Sequence, residues 1–344
     1  MKYFFILFLF VYVYSVQAQE KTYKIACVAF YNTENLFDTE NDTTINDEEF
    51  LPEGANAWTQ ERYQLKLENL SKVISQIGSE KTKTAPSIVG LSEVENKRVV
   101  EDLVKTPLLA PFGYKIVHYD SPDRRGVDVA LIYNPAHFTV TSSRAVRLVM
   151  KDNPELRTRD QLVVSGLLDG EPLHVIVNHW PSRSGGEKKS FPNRVAAAQL
   201  CRSIADSILA IDPKAKIIMM GDLNDNPTDE SLVKHLRAKG DIDKLTKDEF
   251  FNPMFNMFKK DGIGSNAYRD SWSLFDQIIL TPGLLDKDYS TYKYYKALIF
   301  NMPFLMQKDG AFKGYPFRTF VGNQFQGGYS DHFPAYVYLI KEKK

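Results

Sequence analysis

Short apolar runs recur along this chain, and most of them end in a group of polar residues. The continuous apolar runs are typical of buried strands, and they alternate with longer stretches in which apolar residues recur at helical spacing. The predicted strands are Tyr23–Phe30, Ser87–Leu91, Val127–Tyr133, Gln161–Leu168, His174–Val177, Lys216–Met220, Ser273–Leu280 and Pro334–Ile340. The predicted helices are Glu61–Ile77, Glu95–Leu103 and Pro192–Leu209.

This alternation predicts an α/β fold. A strand that is apolar throughout needs cover on both faces, from helices on one side and from further structure on the other. We therefore predict two sheets packed face to face with helices outside them. The hydrophobic content of 43% is sufficient for a large core, and residues 19–344 are interpreted as a single domain.

Residues 1–18 are predicted to be a signal peptide. Lys2 precedes an apolar stretch from Tyr3 to Val13, and Val16-Gln17-Ala18 resembles a signal-peptidase cleavage site. A membrane anchor is the alternative, but the apolar stretch is shorter than the roughly 18 residues that a spanning helix needs. The sequence thus favours export to the periplasm or the medium, with no integral membrane segment in the mature chain.

Charge and cysteine content restrict the function only weakly. The chain has 43 basic and 43 acidic residues, so it lacks the basic excess typical of proteins held on duplex DNA by phosphate contacts. A nuclease could still use a local basic patch. Cys27 and Cys201 could form a disulfide in an exported protein, but two small buried hydrophobic residues are the preferred interpretation.

Two segments are interpreted as insertions. In Asp38–Glu49, acids occupy the first, third, fifth and twelfth positions of a calcium-binding loop, but Thr43 stands where that loop needs glycine. A solvated acidic loop is therefore preferred to a calcium site. The segment 289–325 is rich in aromatic residues with interleaved lysines. Most of these rings are expected to pack against the body of the protein, and a few to line a substrate lid.

Six groups of Asn, Asp, Glu or His stand at or near the ends of strand-like runs. If those ends meet at one edge of the packed sheets, they form a carboxylate-rich pocket that suits a hard divalent cation and a phosphate ester. The groups are Asn32-Thr33-Glu34-Asn35, Ser92-Glu93, Asn178-His179, Gly221-Asp222-Leu223-Asn224, Asp276-Gln277 and Ser330-Asp331-His332.

Each group has an ordinary structural explanation when it is taken alone. Gly, Asp, Asn and Pro are the usual residues of turns, so Asp222 and Asn224 could form a simple turn. Glu93 could begin a helix. A histidine that acts near neutral pH needs an acceptor to fix its tautomer, and Asp276 could serve His332 in this way. The groups therefore predict a site only as a set.

As a set, these motifs resemble the endonuclease/exonuclease/phosphatase superfamily. It includes pancreatic-type deoxyribonucleases, apurinic endonucleases, neutral sphingomyelinases and inositol polyphosphate 5-phosphatases. The resemblance implies a four-layer α/β sandwich with two packed, mostly antiparallel or mixed sheets, a site at one end of the sheets, and Mg²⁺- or Mn²⁺-dependent hydrolysis of a phosphate ester. The matching segments, in the family's order, are Tyr31–Phe37, Leu91–Val94, Val177–Arg183, Gly221–Pro227, Phe275–Ile278 and Tyr329–His332.

The resemblance also implies which residues hold the metal ion. Glu93 corresponds to the family's principal metal ligand. Asn32 corresponds to an early asparagine that helps to hold the metal or the phosphate. Glu34 and Asp331 are assigned as further metal contacts.

The remaining matched residues are assigned to the chemistry. Asp222 would orient or deprotonate the attacking water, and Asn224 would contact the phosphate. His332, paired with Asp276, would bind a phosphoryl oxygen or act as the acid–base group. His179 resembles the deoxyribonuclease-type histidine on the other side of the phosphate.

The middle of the chain departs from the family pattern. Many relatives carry Asn and His two positions apart, whereas Asn178 and His179 are adjacent and should face opposite ways along a strand. His179 is therefore the preferred pocket residue, although Asn178 and Arg183 are both assigned to substrate binding. Asp128 is a lone acid in an apolar strand, and because its burial without a partner would be costly, we predict that it pairs with His179.

The leading interpretation is an exported, divalent-metal-dependent nuclease or phosphodiesterase that acts on nucleic acid. A lipid or small-molecule phosphodiesterase, such as a sphingomyelinase-like enzyme, is the alternative, and the balanced charge slightly favours it. A binding module that has lost catalysis is a third interpretation, which the complete set of site residues opposes. The sequence does not identify the substrate, and we expect a monomer.

Overall fold

The computed structural model describes residues 21–150 and 154–343. The predicted signal peptide lies outside the described residues, so its cleavage and the export of the chain stay predictions. Within the described ranges, no helix combines the length and the apolar character that a membrane-spanning helix requires.

Seventeen strands and five α-helices make up the described chain. The strands are β1 (Tyr23–Leu36), β2 (Ile88–Val94), β3 (Lys115–His118), β4 (Asp128–Tyr133), β5 (Phe138–Val146), β6 (Gln161–Leu168), β7 (Glu171–His179), β8 (Ile217–Asp222), β9 (Ala238–Lys239), β10 (Phe250–Phe251), β11 (Asn266–Tyr268), β12 (Ser271–Ser273), β13 (Asp276–Leu280), β14 (Lys293–Ile299), β15 (Phe320–Val321), β16 (Gln324–Phe325) and β17 (Ala335–Glu342). The helices are α1 (Gln60–Ile74), α2 (Ser79–Thr82), α3 (Lys97–Lys105), α4 (Glu187–Ile211) and α5 (Met254–Lys259), with a π-helix at Ser231–Leu236.

Two large sheets carry the fold. One has six strands in the order β14-β17-β1-β2-β4-β3, and the other has seven in the order β5-β6-β7-β8-β13-β10-β9. The sheets touch closely at Gly90, where an added Cβ would lie 2.9 Å from the Met220 side chain of the other sheet. Helices cover the outer faces, and the α/β sandwich predicted from the sequence is confirmed.

The pleat of the seven-stranded sheet sorts its side chains between two cores. Val177, Met220 and Ile278 belong to the core between the sheets. Their neighbours Ile176 and Met219 belong to a second core beneath α4. Because successive side chains of a strand alternate between the faces, this pattern also fixes which face the polar residues at the strand ends occupy.

Each predicted element has a counterpart, but several bounds differ. Helix α4 begins at Glu187, before the predicted start at Pro192, so the proline lies inside the helix. The predicted strand Ser273–Leu280 is divided between β12 and β13. Cys27 and Cys201 are both free and buried, as the preferred interpretation predicted.

The two predicted insertions are more integrated than expected. In the acidic loop, Arg98 forms salt bridges with Asp38 and Glu40. Segment 289–325 is not wholly an insertion, because β14 within it pairs with β17 at the edge of the six-stranded sheet. Its predicted role as a substrate lid stays a prediction.

Candidate metal and phosphate site

Three neighbouring strands of the seven-stranded sheet present His179, Asp222 and Asp276 side by side. Asp222 is the register partner of His179 on β7 and of Asp276 on β13. Val177 and Met220 lie two residues before His179 and Asp222, and both face the core between the sheets. Because every second side chain of a strand lies on the same face, His179 and Asp222 face the same way, as does Asp276 on β13. The site therefore lies between the sheets, at the end where these strands run out.

The six-stranded sheet supplies Glu93 and Asn32 from the opposite side. The pairing of β2 shifts register around Glu93 against both of its neighbouring strands. Such a bulge re-aims a side chain away from the regular alternation of a strand. It explains how Glu93 can turn toward the site although it lies within β2, and the Asn35 backbone N–H then donates to its Oε2 at 3.1 Å.

Backbone strain is concentrated around this site. Glu34, Asn35, Glu93 and Asn224 all have φ between 50° and 60°, in the left-handed region. A non-glycine residue there costs of order 1 kcal/mol and persists only where the surroundings enforce it. Four such residues at the ends of β1, β2 and β8 indicate that packing between the sheets fixes the site before any ligand arrives.

Asp222 is the central carboxylate of the site. Its Oδ2 accepts a hydrogen bond from Asn32 Nδ2 at 3.0 Å, and its Oδ1 accepts one from the Asn224 backbone N–H at 3.0 Å. Burial raises the pKa of Asp222 to about 7, and the carboxylates of Asp276 and Glu93 add to this rise against the opposing effect of His332. At neutral pH this carboxyl group is thus poised between its two protonation states.

His332 and Asp276 form a buried pair beside Asp222. The two side chains meet at 2.6 Å between His332 Nδ1 and Asp276 Oδ2, and Ser265 Oγ donates to the same carboxylate oxygen. Burial opposes charge on the imidazole, but Asp276 and the other nearby carboxylates outweigh it and hold the pKa of His332 well above its usual range. His332 Nε2 lies 3.9 Å from Asp222 Oδ2, so a cationic imidazole faces the centre of the site.

His179 has the opposite electrostatic environment. Burial, together with the nearby cations Arg159 and Arg125 and with His332, lowers the pKa of His179 well below its usual range. Its Nε2 lies 3.7 Å from Glu93 Oε1 and 3.8 Å from Asp222 Oδ2. The site thus combines one protonated and one neutral histidine.

The predicted pairing of Asp128 with His179 is wrong. Asp128 is buried, as expected of a paired acid, but its carboxylate binds His118 Nε2 at 3.0 Å and the Ser121 backbone N–H at 2.8 Å. His179 Nδ1 has no hydrogen-bond partner among the described residues. The sequence predicted correctly that Asp128 needs a partner, but β3, which carries His118, was not predicted.

Asn178 and Arg183 do not face the site as substrate-binding residues. Asn178 is buried on the opposite face of β7, where Trp180 Nε1 donates to its Oδ1 at 3.0 Å. The guanidinium group of Arg183 is held by Asp225 at 3.0 Å and by Asp229 at 2.7 Å. Both predictions are corrected for the same reason, because the polar atoms of these side chains are already used within the fold.

Glu34 and Asp331 take part in an ion network rather than in the central cluster. The Thr319 backbone N–H donates to Glu34 Oε2 at 2.6 Å, and Lys66 Nζ lies 3.7 Å from the same oxygen. Arg318 bridges Glu34, at 3.4 Å, and Asp331, at 2.7 Å. This geometry gives the two acids cationic partners within the protein, so it does not support their assignment as metal ligands.

A divalent cation fits between Glu93, His179 and Asp222. Each of these residues offers a ligand atom, and the three atoms all lie within 4.8 Å of one another. The raised pKa of Asp222 marks a buried carboxylate whose charge is not fully compensated, and a cation would compensate it. In contrast, Asn32 Oδ1 already accepts the Glu34 backbone N–H at 2.9 Å, so Asn32 here positions Asp222, and its predicted role at the metal stays a prediction.

Asn224 also contributes to the geometry of the site. Its Nδ2 donates to the Trp180 backbone carbonyl at 2.9 Å. The same carbonyl accepts from Arg159 Nη2 at 2.6 Å. The contact of Asn224 with a substrate phosphate stays a prediction.

Four further residues contribute to this region without having been predicted from the sequence: Arg159, Arg318, Lys66 and Ser265. Arg159 and Lys66 are buried cations, and their types and spacing resemble those of surface residues. Only long-range contacts distinguish them, such as the 2.8 Å bond from Lys66 Nζ to the Tyr329 carbonyl. No local signal in the sequence could have found them.

Several solved structures share this fold. A Bacteroides thetaiotaomicron endonuclease/exonuclease/phosphatase family protein is 16% identical, with a TM-score of 0.54 over 94% of this chain and 97% of that one. The human Nocturnin catalytic domain with bound sulfate is 16% identical, with a TM-score of 0.52 and the same coverage. D. rerio TDP2 complexed with a single-strand DNA product is 13% identical, with a TM-score of 0.54 over 92% of this chain and 98% of that one.

At these identities the structural likeness shows the fold alone. A search of curated proteins with the sequence gave no match. The sequence itself, however, matches the model of the Endonuclease/Exonuclease/phosphatase family over residues 27–341. This match includes all six polar groups that surround the site, and the chain therefore belongs to the endonuclease/exonuclease/phosphatase family, whose members are hydrolases of phosphate esters.

Proposed function

We propose that the protein is an exported, Mg²⁺- or Mn²⁺-dependent phosphodiesterase that hydrolyses nucleic acid. The observation that carries the proposal is the meeting of Glu93, Asp222 and His179 within 4.8 Å of one another, directly beside the buried pair of His332 and Asp276. One space between the sheets therefore has the candidate cation ligands on one side and the charged imidazole of His332, a donor for a phosphoryl oxygen, on the other.

Glu93 and Asp222 would hold the cation, with His179 at its edge. When bound, a divalent cation neutralises charge on the phosphoryl oxygens and lowers the pKa of bound water. Carboxylate oxygens are the ligands that Mg²⁺ and Mn²⁺ prefer, and imidazole is a common ligand of the softer divalent ions. The two carboxylates therefore suit a hard divalent cation that retains some of its water.

The protein's own groups then divide the proton chemistry between them. Asp222, ionised when a cation is bound, would orient the attacking water and accept its proton. His332 stays protonated because of Asp276, and its Nε2 can donate to the oxygen on which charge develops in the transition state. Asn32 and the Asn224 backbone N–H hold Asp222 in place for this step.

Two further observations favour nucleic acid as the substrate. D. rerio TDP2, which shares the fold, is described in complex with a single-strand DNA product. In this chain, Arg125 lies close enough to His179 to help lower its pKa and has a side chain that is 51% exposed, whereas Arg159 is buried and paired with Asp123 at 3.0 Å, so an exposed cation lies on this side of the site although the whole chain is neutral. A polyanionic substrate would be attracted to that side.

A substrate panel tests the proposal. Plasmid DNA, single-stranded DNA, RNA, sphingomyelin and inositol phosphates are each incubated with Mg²⁺, with Mn²⁺ and with EDTA. We expect metal-dependent cleavage of nucleic acid that is lost in His332→Asn and retained in His118→Asn, a matched change in the other buried His–Asp pair. Cleavage of sphingomyelin or inositol phosphates alone would support the alternative substrate class, and hydrolysis of none of them would support a binding module.

A further inference from the structure

A cavity of about 420 Å³ opens directly beside the candidate site. Arg318 and Asp331 form its boundary with the site, and Asp331 Oδ1 lies 3.9 Å from His332 Nε2. The rest of the lining comes from the tip of the hairpin formed by β11 and β12, and from the segment between Gln307 and Gln326. Its volume lies within the range typical of small-molecule sites.

The walls of this cavity combine aromatic rings with side-chain amides. Tyr268 and Phe312 are 69% and 47% exposed, so part of each ring is open to a ligand, although the Arg269 guanidinium lies over the Tyr268 ring at 5.1 Å from its centroid. Gln307, Gln324 and Gln326 also belong to the lining. Aromatic faces stack on nucleobases, and donors and acceptors such as amides bind base edges, whereas an acyl chain gains nothing from such polar groups.

The hairpin holds these walls in a fixed relation to the catalytic pair. Tyr315 Oη donates to Asp270 Oδ1 at 2.7 Å and accepts the Asp270 backbone N–H at 2.7 Å. Trp272 packs edge-on against Tyr315 at 5.7 Å and stacks on Phe333 at 6.1 Å. Because Phe333 directly follows His332, the rings of the cavity and the imidazole of the site are parts of one packed unit.

Arg318 stands where the cavity meets the site. Its guanidinium group binds Asp331 at 2.7 Å and Glu34 at 3.4 Å, and its side chain is 44% exposed, so some of its five N–H donors face solvent. An arginine in this position can contact a phosphate while a group attached to that phosphate enters the cavity. The polarity of the boundary thus matches a nucleotide, with its charged part toward the site and its flat part toward the rings.

We propose that this cavity binds the unpaired base of the nucleotide whose phosphate occupies the site, so that the enzyme prefers single-stranded nucleic acid or unpaired ends. This inference rests on the proposed function and specifies its substrate class. A base within a duplex is stacked and paired, and it would have to leave the helix before it could enter such a cavity.

Two substrates with the same backbone separate base binding from phosphate hydrolysis. One is an oligodeoxyadenylate, and the other is a strand of equal length with abasic tetrahydrofuran residues throughout. For the wild type we expect a lower KM for the adenylate. In Phe312→Ala and Tyr268→Ala, we expect its KM to rise by about 5- to 150-fold, the range for loss of one base–ring stack, while the abasic strand is cleaved as before.

The matched control is Tyr295→Ala, which removes an exposed ring on β14 away from the cavity and should change neither KM. Equal KM values of the wild type for both strands, or an equal loss on both strands in the cavity variants, would overturn the inference while leaving the hydrolase intact. If neither strand is cleaved, the proposed function fails. Calorimetry with deoxyadenosine 5′-monophosphate then decides separately: binding that Phe312→Ala removes supports the cavity, and no binding by the wild type overturns it.

Discussion

Replacing Asp276 by Asn tests the electrostatic reasoning most directly. The change removes the negative charge that meets His332 Nδ1 at 2.6 Å but preserves the shape of the side chain. Burial lowers the pKa of His332 and Asp276 is the largest opposing influence, so the pKa should fall and the imidazole should become neutral at pH 7 to 8. A charged hydrogen bond of this kind contributes about 1.5–3 kcal/mol, and loss of one transition-state donor typically costs about 10²–10³ in kcat.

We therefore expect kcat of Asp276→Asn to fall about 100- to 1000-fold at pH 8, with a smaller change in KM. The sign of the pH effect follows from the charge on His332. Because the variant binds the imidazole proton less tightly, its activity relative to wild type should recover as the pH falls toward 5. Steady-state kinetics with a metal-saturated nucleic-acid substrate between pH 5 and pH 9 measure both effects.

Asp128→Asn is the matched control for this experiment. It removes the charge from another Asp–His pair with buried side chains, in which His118 Nε2 lies 3.0 Å from the carboxylate, and among the described residues that pair shares no hydrogen bond or ion pair with the site residues. Wild-type kcat in Asp276→Asn would refute the reasoning. So would an equal loss in both variants, because the loss would then reflect packing rather than the charge on His332.

Three further predictions concern the metal and the ion network. Glu93→Gln should weaken Mg²⁺ activation by at least about 10- to 100-fold, the cost of removing even a residue that only supports a metal ligand, as measured by metal titration of the rate. Glu95→Gln should match wild type, because burial raises the pKa of Glu95 to about 8 and keeps it mostly protonated at neutral pH, and equal effects in the two variants would contradict the metal assignment. Mg²⁺ binding should release protons at pH 6.5, because a cation favours the ionised form of Asp222, whose pKa without metal is about 7. Calorimetry in buffers of different ionisation enthalpy measures this release, which should be smaller in Asp222→Asn. Equal proton release in the variant and the wild type would exclude Asp222 as its source. Lys66→Met should lower the free energy of unfolding in urea by about 3–5 kcal/mol, since it breaks a buried ion pair with Glu34. Lys72 is exposed on the same helix, so Lys72→Met should change this free energy little. Similar losses of stability in both variants would refute the role of burial.

Local sequence signals account for the fold class and for part of the site. Continuous apolar runs predicted the buried strands, because only a strand covered on both faces is apolar throughout. The two-residue period of a strand explains why His179 rather than Asn178 faces the site, as the structure shows. The pairing of Asp276 with His332, 56 residues apart, was predicted from the need of a histidine for an orienting acceptor and from the family resemblance, because no spacing along the chain reveals it.

The errors share a physical origin. Asp128 was predicted correctly to need a partner, but that partner is His118 on β3, a short strand that the apolar pattern did not reveal. Arg183 was assigned to substrate binding, but Asp225 and Asp229 hold its guanidinium group. In both cases the residue type is local information, while its partner depends on how distant segments pack.

The sequence by itself thus determined the two sheets, the family and the polar groups at the strand ends, because hydrophobic periodicity and residue type are properties of neighbouring positions. Only the tertiary structure decided what each polar group does. The bulge that turns Glu93 toward Asp222, the opposite protonation states of His179 and His332, and the aromatic cavity beside Arg318 all depend on packing between segments far apart in the chain. Burial and neighbouring charge set the pKa and the accessibility of a side chain, and neither exists until the two sheets have met.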